Sequence, residues 1–544
     1  LRVFIVIAIV IILLVPNIGN SQEKGEWIVQ AAGIASTDAK PMPHYMHSNN
    51  WGVIDPFQQS WFNLYAGGKY QLIDKTGFSL NTGVSAVLRN EVSESILHQL
   101  YVRGRVLNVF DFSIGKEAYT PVSYNDTLTV GGFLMNSNAR PIPKVILGIY
   151  DYLPVPFTKG WVEVKGGLTH GWLNDDRTAE NRGNSADSPY LHEKWAYVRL
   201  GNTKIQPFVG IVHNAIYGGT RPNGTKIPID YLATFFAQGS ERIGGGEATN
   251  AAGAHEGFWD IGMHAESSWA DMVLYVQKPF ADGSGLKIWQ PKNRDYKIGG
   301  IFEFKNTRFV QALSVELIKT EYQSGPGIPD AIYPEGHPKQ GQIIWLDEID
   351  DYDAFMFDTF GEVTNGWGKE DVSNYLVQEE NYGHEYGGRD DYNNNGTYYN
   401  GWTYHKQSFG MPLYHSKHQT SLIDPSWVSN ESVIFKNTRV RAVHFGMRGE
   451  IAKGLKYLLR LTHSRNYGSY SEEYTSRYSW TKEEDFLYES GKNQTYTQLQ
   501  LRYRSKNWDR LQLSTSLSVD AGELYNSLGL LAGVSYRADF RKSK

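Results

Sequence analysis

Asp509-Arg510-Leu511-Gln512-Leu513-Ser514-Thr515-Ser516-Leu517-Ser518-Val519-Asp520 decides the fold. Leu511, Leu513, Leu517 and Val519, joined by Thr515, take one face, and Arg510, Gln512, Ser514, Ser516, Ser518 and Asp520 take the other. Successive side chains of a strand point to opposite faces, so period two over twelve residues reads as a strand with one apolar side. The pattern extends outward from this window. On its N-terminal side Leu499, Leu501 and Tyr503 oppose Gln498, Gln500, Arg502 and Arg504; on its C-terminal side Leu528, Leu530, Ala532, Val534, Tyr536 and Phe540 alternate with Ser527, Gly529, Ser535, Arg537 and Asp539. Leu455–Ser464 and Tyr296–Lys305 behave alike.

Strands are expected near 26–36, 60–74, 78–88, 95–105, 107–116, 139–150, 161–173, 191–201, 203–215, 256–266, 268–277, 296–306, 308–321, 438–450, 454–466, 494–506, 509–520 and 526–540. The long gaps, 117–138, 174–190, 216–255, 278–295, 322–437 and 467–493, each follow an odd-numbered strand, whereas connections after even-numbered strands are short. A soluble sandwich has no reason to segregate loop lengths by parity. An outer-membrane barrel does, with short periplasmic turns, long external loops and an even strand number. The expected fold is therefore all-β: a transmembrane outer-membrane barrel of about eighteen antiparallel strands whose long loops partly plug the lumen.

Composition agrees. The chain has 24 Phe, 15 Trp, 35 Tyr and 55 Gly among 544 residues, rich in the residues of strands and membrane interfaces. The absence of Cys excludes disulfide scaffolds, thiolate metal sites and cysteine nucleophiles. A net charge of −5 gives no footprint for nucleic acid. Arg2 followed by the apolar run Val3–Val15, with Pro16 and Gly19-Asn20-Ser21 beyond, reads as a signal peptide over 1–21. The remaining 22–544 is expected to form a single barrel in the outer membrane of a Gram-negative bacterium, in contact with its lipid and with the barrel-insertion machinery.

Charge is unevenly placed. The 322–437 insertion holds 18 acidic and 6 basic residues against −5 for the whole chain, so the rest of the protein is net positive. The polar faces of the strands supply a basic wall, with Arg460, Arg502, Arg504 and Arg510 clustered late in the sequence. That wall suits either a salt-bridged lumen or a surface that holds or passes an anionic polymer. The insertion also carries 20 aromatics, including Trp367, Tyr398, Tyr399 and Trp402, fit for a loop mini-core or for stacking on sugar rings. Asp391, Asn393 and Asn395 follow the spacing of half a calcium loop, but Trp402 stands where a bidentate Glu would close it. An Asn-rich turn and a calcium site both fit. No cofactor is required. There is no G-x-S-x-G, H-E-x-x-H or P-loop motif, and the chain is expected not to be an enzyme.

Met42-Pro43-His44-Tyr45-Met46-His47-Ser48-Asn49-Asn50-Trp51-Gly52, Asn136-Ser137-Asn138-Ala139-Arg140-Pro141-Ile142-Pro143-Lys144, Leu191-His192-Glu193-Lys194 and Gly210-Ile211-Val212-His213 resemble the Wzi-type capsule assembly family in its Bacteroidetes-like form. The resemblance implies an eighteen-stranded barrel that binds and anchors capsular or other exported polysaccharide at the cell surface, as a lectin. On that basis Asn49, Trp51, Arg140, Lys144, His192, Lys194 and His213, with Trp367 and Trp402 of the insertion, are the candidate polysaccharide contacts. Other surface proteins are conceivable partners of the acidic loop. The alternative is a porin or exporter passing anionic solutes or a polysaccharide chain through a basic lumen.

Overall fold

The computed structural model describes residues 25–540 except 38–39, 123, 176–184, 244–250, 282–285, 287, 289–292, 326–329, 341, 343, 345, 379–383, 386–388, 428–432 and 475–481. The expected signal peptide lies outside the described residues. Eighteen strands form the wall: β1 (Gly25–Ser36), β2 (Ser60–Lys75), β3 (Phe78–Arg89), β4 (Ile96–Val106), β5 (Phe110–Lys116), β6 (Pro143–Pro154), β7 (Val162–Trp172), β8 (Tyr190–Leu200), β9 (Ile205–Tyr217), β10 (Ala254–Glu266), β11 (Ala270–Phe280), β12 (Tyr296–Phe304), β13 (Ala312–Lys319), β14 (Val440–Ala452), β15 (Leu455–Asn466), β16 (Lys492–Tyr503), β17 (Leu511–Gly522) and β18 (Ser527–Phe540). Each pairs antiparallel with its sequence neighbours, and β18 closes on β1 from Gly25 opposite Phe540 to Ser36 opposite Gly529. The ring has no free edge, the condition for a sheet to sit in lipid.

Leu511, Leu513, Leu517 and Val519 are exposed on the outside of β17, while Ser516, Ser518 and Asp520 are buried facing the lumen. Serines inside and leucines outside invert the pattern of a water-soluble domain, as expected of a wall whose outer solvent is hydrocarbon. The turns at one end are short: 76–77, 107–109, 201–204, 267–269 and 453–454. Long connections leave the other end, and 37–59 belongs with them.

Two boundaries correct the sequence reading. β6 begins at Pro143, not at 139, because Pro141 and Pro143 lack the amide hydrogens that a continuing ladder needs; Asn138 and Arg140 therefore belong to a loop. β16 ends at Tyr503 and β17 starts at Leu511, so Arg504 and Arg510 sit in a turn whose 3₁₀ segment, Lys506–Trp508, is capped by Ser505.

Three loop segments fold into the lumen and plug it. The first, 40–59, contains helix α1 (His44–His47). Its His44 amide donates to Asp520 Oδ2 of β17 at 2.7 Å, and the Tyr45 carbonyl accepts from Gln498 Nε2 at 2.7 Å and Arg460 Nη2 at 3.0 Å. The second, 124–142, is tied to β13 and β10: Val130 N donates to Glu316 Oε2 at 2.7 Å, Ser314 Oγ to the Leu128 carbonyl at 2.6 Å, and Tyr124 Oη to Asp260 Oδ2 at 2.6 Å. The third is the C-terminal part of the insertion, where Asn136 and Asn138 donate to the Gly410 and Ser408 carbonyls and Asn393 bonds Glu256 of β10. Phe133, Leu134 and Met135 pack with Tyr398, Tyr399, Trp402 and Phe409 and with the wall residues Trp195, Phe208 and Phe258 in one apolar cluster. This part of the lumen is thus a packed core.

The N-terminal part of the insertion builds a separate unit above the plug. Helices α3 (Tyr352–Phe360) and α4 (Lys369–Gln378) enclose Met356, Val372 and Leu376 with Ala331, Ile344 and Leu346. Asp351 caps α3 through Ala354 N at 3.0 Å. A shorter helix, α2 (Tyr231–Phe236), lies in the β9–β10 connection. No helix among the described residues is long and apolar enough to cross a membrane; strands do the crossing.

Candidate functional site

Below the plug, toward the short-turn end, the wall encloses a cavity of about 490 Å³. Its roof is the first plug segment, Tyr45 to Ile54. Its sides come from the polar faces of β1, β2 and β15–β18: Gln30, Asn63, Arg460, Gln498, Gln500, Arg502, Gln512, Ser514 and Ser516 all face it. The alternation dictates this placement. Gln498, Gln500 and Arg502 are every second residue of β16, and their intervening partner Leu499 is exposed outside. A second cavity of about 240 Å³ shares Leu458, Gln500 and Arg502 and adds Arg448 and Lys456.

Several wall cations are neutralised, Arg537 of the same chamber among them. Lys297 pairs with Glu316 at 2.8 Å, Arg105 with Asp111 at 2.8 Å, Arg448 with Glu303 at 2.6 Å and Arg537 with Glu26 at 2.8 Å. For these groups the wall is salt-bridged. Arg460 and Arg502 differ: among the described residues neither forms an ion pair with a carboxylate. Arg460 is held by Gln498 Oε1 at 3.2 Å from Nε and lies over the Tyr45 ring at 4.3 Å. The chamber therefore offers two guanidinium groups with no acidic partner, ringed by amides and hydroxyls. Guanidinium binds carboxylate or phosphate in a two-pronged geometry, while side-chain amides both donate to and accept from hydroxyls. That combination matches an anionic saccharide.

The residues singled out in the sequence separate into five places. Asn49 and Trp51 line the chamber roof, fixed by Asn49 Nδ2 to the Val130 carbonyl at 2.8 Å and by His98 Nε2 against the Trp51 carbonyl at 2.9 Å. Arg140 and Lys144 share a cavity of about 20 Å³ inside the plug, where Lys144 pairs with Glu193 at 2.7 Å. Trp402 is 1% exposed in the plug core, and Trp367 packs edge-on to Tyr375 in the outer unit with centroids 5.9 Å apart. His192, Lys194 and His213 lie on the outside of the wall, away from the lumen.

Of the basic wall, Arg460 and Arg502 reach the chamber. Arg504 donates to Gln512 at 3.2 Å from the turn, and Arg510 reaches over the rim to Tyr536 Oη at 3.4 Å. The inward amides of β16 and β17 were visible as the polar half of the alternation, but nothing local marks them as a site. In the calcium-like segment, Asn395 Oδ1 accepts from Thr397 N at 2.9 Å and Tyr398 N at 3.1 Å, the Asn393 side chain bonds Glu256, and Asp391 Oδ1 accepts from Thr438 at 3.3 Å. Among the described residues no group of three or more His, Asp or Glu side chains is arranged to hold a metal.

A closed, plugged, eighteen-stranded antiparallel barrel of the outer-membrane type, with a basic chamber beneath its plug, is the class these features define. No protein-family profile and no curated relative matches the chain. Among solved structures it is similar to Wzi, an outer membrane protein involved in group 1 capsule assembly in Escherichia coli and a carbohydrate-binding β-barrel, at TM-score 0.45 and 11% identity, over 93% of this chain and 83% of that one. It is also similar to OccK5 (OpdH) of Pseudomonas aeruginosa, at TM-score 0.43 and 8% identity over 95% and 98%, and to OpdK of the same organism with vanillate, at 0.43 and 10% over 95% and 99%.

Proposed function

We propose that this protein binds and anchors an exported anionic polysaccharide, such as a capsular chain carrying carboxylates or phosphates, at the outer membrane of a Gram-negative bacterium, without catalysis and without a required cofactor. The observation that carries this reading is the pair Arg460 and Arg502, without acidic partners, facing a chamber closed by the plug. A blind chamber retains a ligand. A conduit would need a continuous path, and the plug is bonded to the wall at β10, β13 and β17. The Asn49–Trp51 roof, part of the Wzi-like stretches, brings an amide and an aromatic ring to the same cavity.

The test is binding of polygalacturonate oligosaccharides and of neutral dextran to the detergent-folded protein, beside conductance in a planar bilayer. Saturable, salt-sensitive polyuronate binding with near-silent conductance is the expected result. Large anion-selective conductance with no polyuronate binding would replace this reading with the channel.

A further inference from the structure

His192, Lys194 and His213 stand on a face where lipid is expected. The register runs Leu147, Leu168, Lys194, His213 and Gly257 in one row across β6–β10, and Val145, His170, His192, Ala215 and His255 in the next. Leu147 is 51% and Leu168 40% exposed, which fixes these rows as outward. Two outward rows toward the short-turn end come Val198, Val209 and Ile261, all exposed on the apolar band. Lys194 is the fifth of the eleven residues of β8, so its ammonium leaves the wall near mid-strand. An apolar band about 25 Å tall on strands tilted by roughly 40° takes up about ten residues of each strand. A bare Lys194 would therefore face acyl chains.

It is not bare. Helix α2 lies across it: Lys194 Nζ donates to the Phe235 carbonyl and sits 4.1 Å from the Phe235 ring centroid. The His192 ring lies 5.2 Å from Phe235 and 5.6 Å from Tyr231, while His255 Nδ1 and His213 Nε2 meet at 3.1 Å alongside. Thr234 is buried on the inner side and donates to the Ala252 carbonyl at 3.0 Å. The outer side of α2 is apolar and open, with Leu232 68% and Phe236 62% exposed and Tyr231 and Ile229 beside them. A surface helix in water shows the reverse arrangement, apolar inward and polar outward. The second lysine on this sector, Lys278, is treated alike: it shares an outward row with Trp259 and donates to the Asn293 carbonyl of the next external loop at 2.6 Å, while Trp259 Nε1 donates to the Leu286 carbonyl at 2.8 Å.

We propose that the β9–β10 connection folds back over the barrel and that α2 lies among the acyl chains of the outer leaflet, taking the place of the wall as the lipid-facing surface over β8–β10. Its occupant is the hydrocarbon of the membrane, because the exposed side of α2 continues the outward rows of Leu147, Leu168, Val198, Val209 and Ile261. Beneath it His192, His213 and His255 are buried and Lys194 is half-buried. They act as the polar seat of the helix and do not contact polysaccharide.

The chain contains no Cys, so single cysteines can be introduced for nitroxide labels. Leu232→Cys and Phe236→Cys, with Val209→Cys on the apolar band and Val363→Cys in the outer unit as references, would be placed in bilayers and tested against dissolved oxygen and a water-soluble nickel chelate. Each variant is first checked for the heat-modifiable gel mobility of a folded barrel. Labels at 232 and 236 are expected to match the Val209 site, with oxygen access high and nickel access low by about fivefold or more relative to the Val363 site. Labels at 232 and 236 that match Val363 would overturn the proposal. A Lys194→Met variant adds a check: nickel access at 232 that stays low confirms a lipid-seated helix, and access that stays high in both backgrounds refutes it.

Discussion

The two ends of this barrel carry opposite charge. Beyond the plug, the outer unit built on α3 and α4 displays Asp350, Asp351, Asp353, Asp358, Glu362, Glu370 and Asp371 over a small apolar core. Beneath the plug, the chamber displays Arg460 and Arg502 without acidic partners. An anionic chain is repelled by the first region and attracted by the second, and the plug keeps the two fields apart. The comparison teaches that net charge of the whole chain says little here; its separation along the barrel axis says much more.

The partition depends on the plug, so the largest effect is expected from breaking it. Trp402→Ala removes a fully buried ring from the plug core and should cost about 3–5 kcal/mol, read as a lower unfolding midpoint and as new conductance in a bilayer. Arg460→Gln should come next. It removes both a chamber cation and the hydrogen bond to the Tyr45 carbonyl, and a charged hydrogen bond of this kind contributes about 1.5–3 kcal/mol; weaker polyuronate binding and faster proteolysis of 37–59 should appear together.

Acid should act on the same plug. Burial holds His47 down to about 3 and His415 down to about 4, from an ordinary value of 6.5. Both rings stay neutral when folded and take up protons when the plug unfolds below that ordinary value. Their contribution is therefore complete above about pH 6.5 and is lost as pH falls toward 4 and then 3, by roughly 1.4 kcal/mol per pH unit for each imidazole. Conductance that opens on acidification and closes on return would show it, and a plug equally firm at pH 4 and 7 would contradict it.

The smallest effect belongs to the outer unit. Asp353 accepts from Thr364 Oγ1 at 2.6 Å, Gly366 N at 2.6 Å and Trp367 N at 3.1 Å, which holds its carboxyl below the ordinary range. Its contribution is present above about pH 4 and lost below it. Asp353→Asn should raise hydrogen exchange across 351–376 and leave the barrel unchanged. Deleting 331–378 should leave polyuronate binding intact or slightly tighter, since only like charge is removed.

The wall could be read from the sequence because lipid and lumen impose opposite demands on alternate residues, and β16 to β18 obey them at most positions, with Leu531 an apolar exception on the lumen face. That long loops plug the lumen was expected, but the contacts they make were not legible, because loop residues carry no period: nothing in Met42–Gly52 says that its Tyr45 carbonyl will rest on Gln498 and Arg460. On β8 the signal was present and easily misread. His192 and Lys194 share the outward parity of Val198 and Leu200, so the outward face loses its apolar character halfway along the strand. That break marks a loop folded over the wall. The Asn393–Asn395 spacing was likewise real; the Asn393 amide nitrogen donates to Glu256 and the Asn395 side chain accepts from local amides.

The most direct test of the account is the affinity of polygalacturonate oligosaccharides for wild-type protein and for Arg502→Gln, with dextran as the neutral control. Arg502 forms no ion pair among the described residues, so its replacement should leave the fold intact. The account predicts polyuronate binding weakened about tenfold, equivalent to about 1.4 kcal/mol, with a shallower salt dependence. Unchanged binding in Arg502→Gln, coupled with loss of binding when 331–378 is removed, would move the ligand to the outer unit and contradict it.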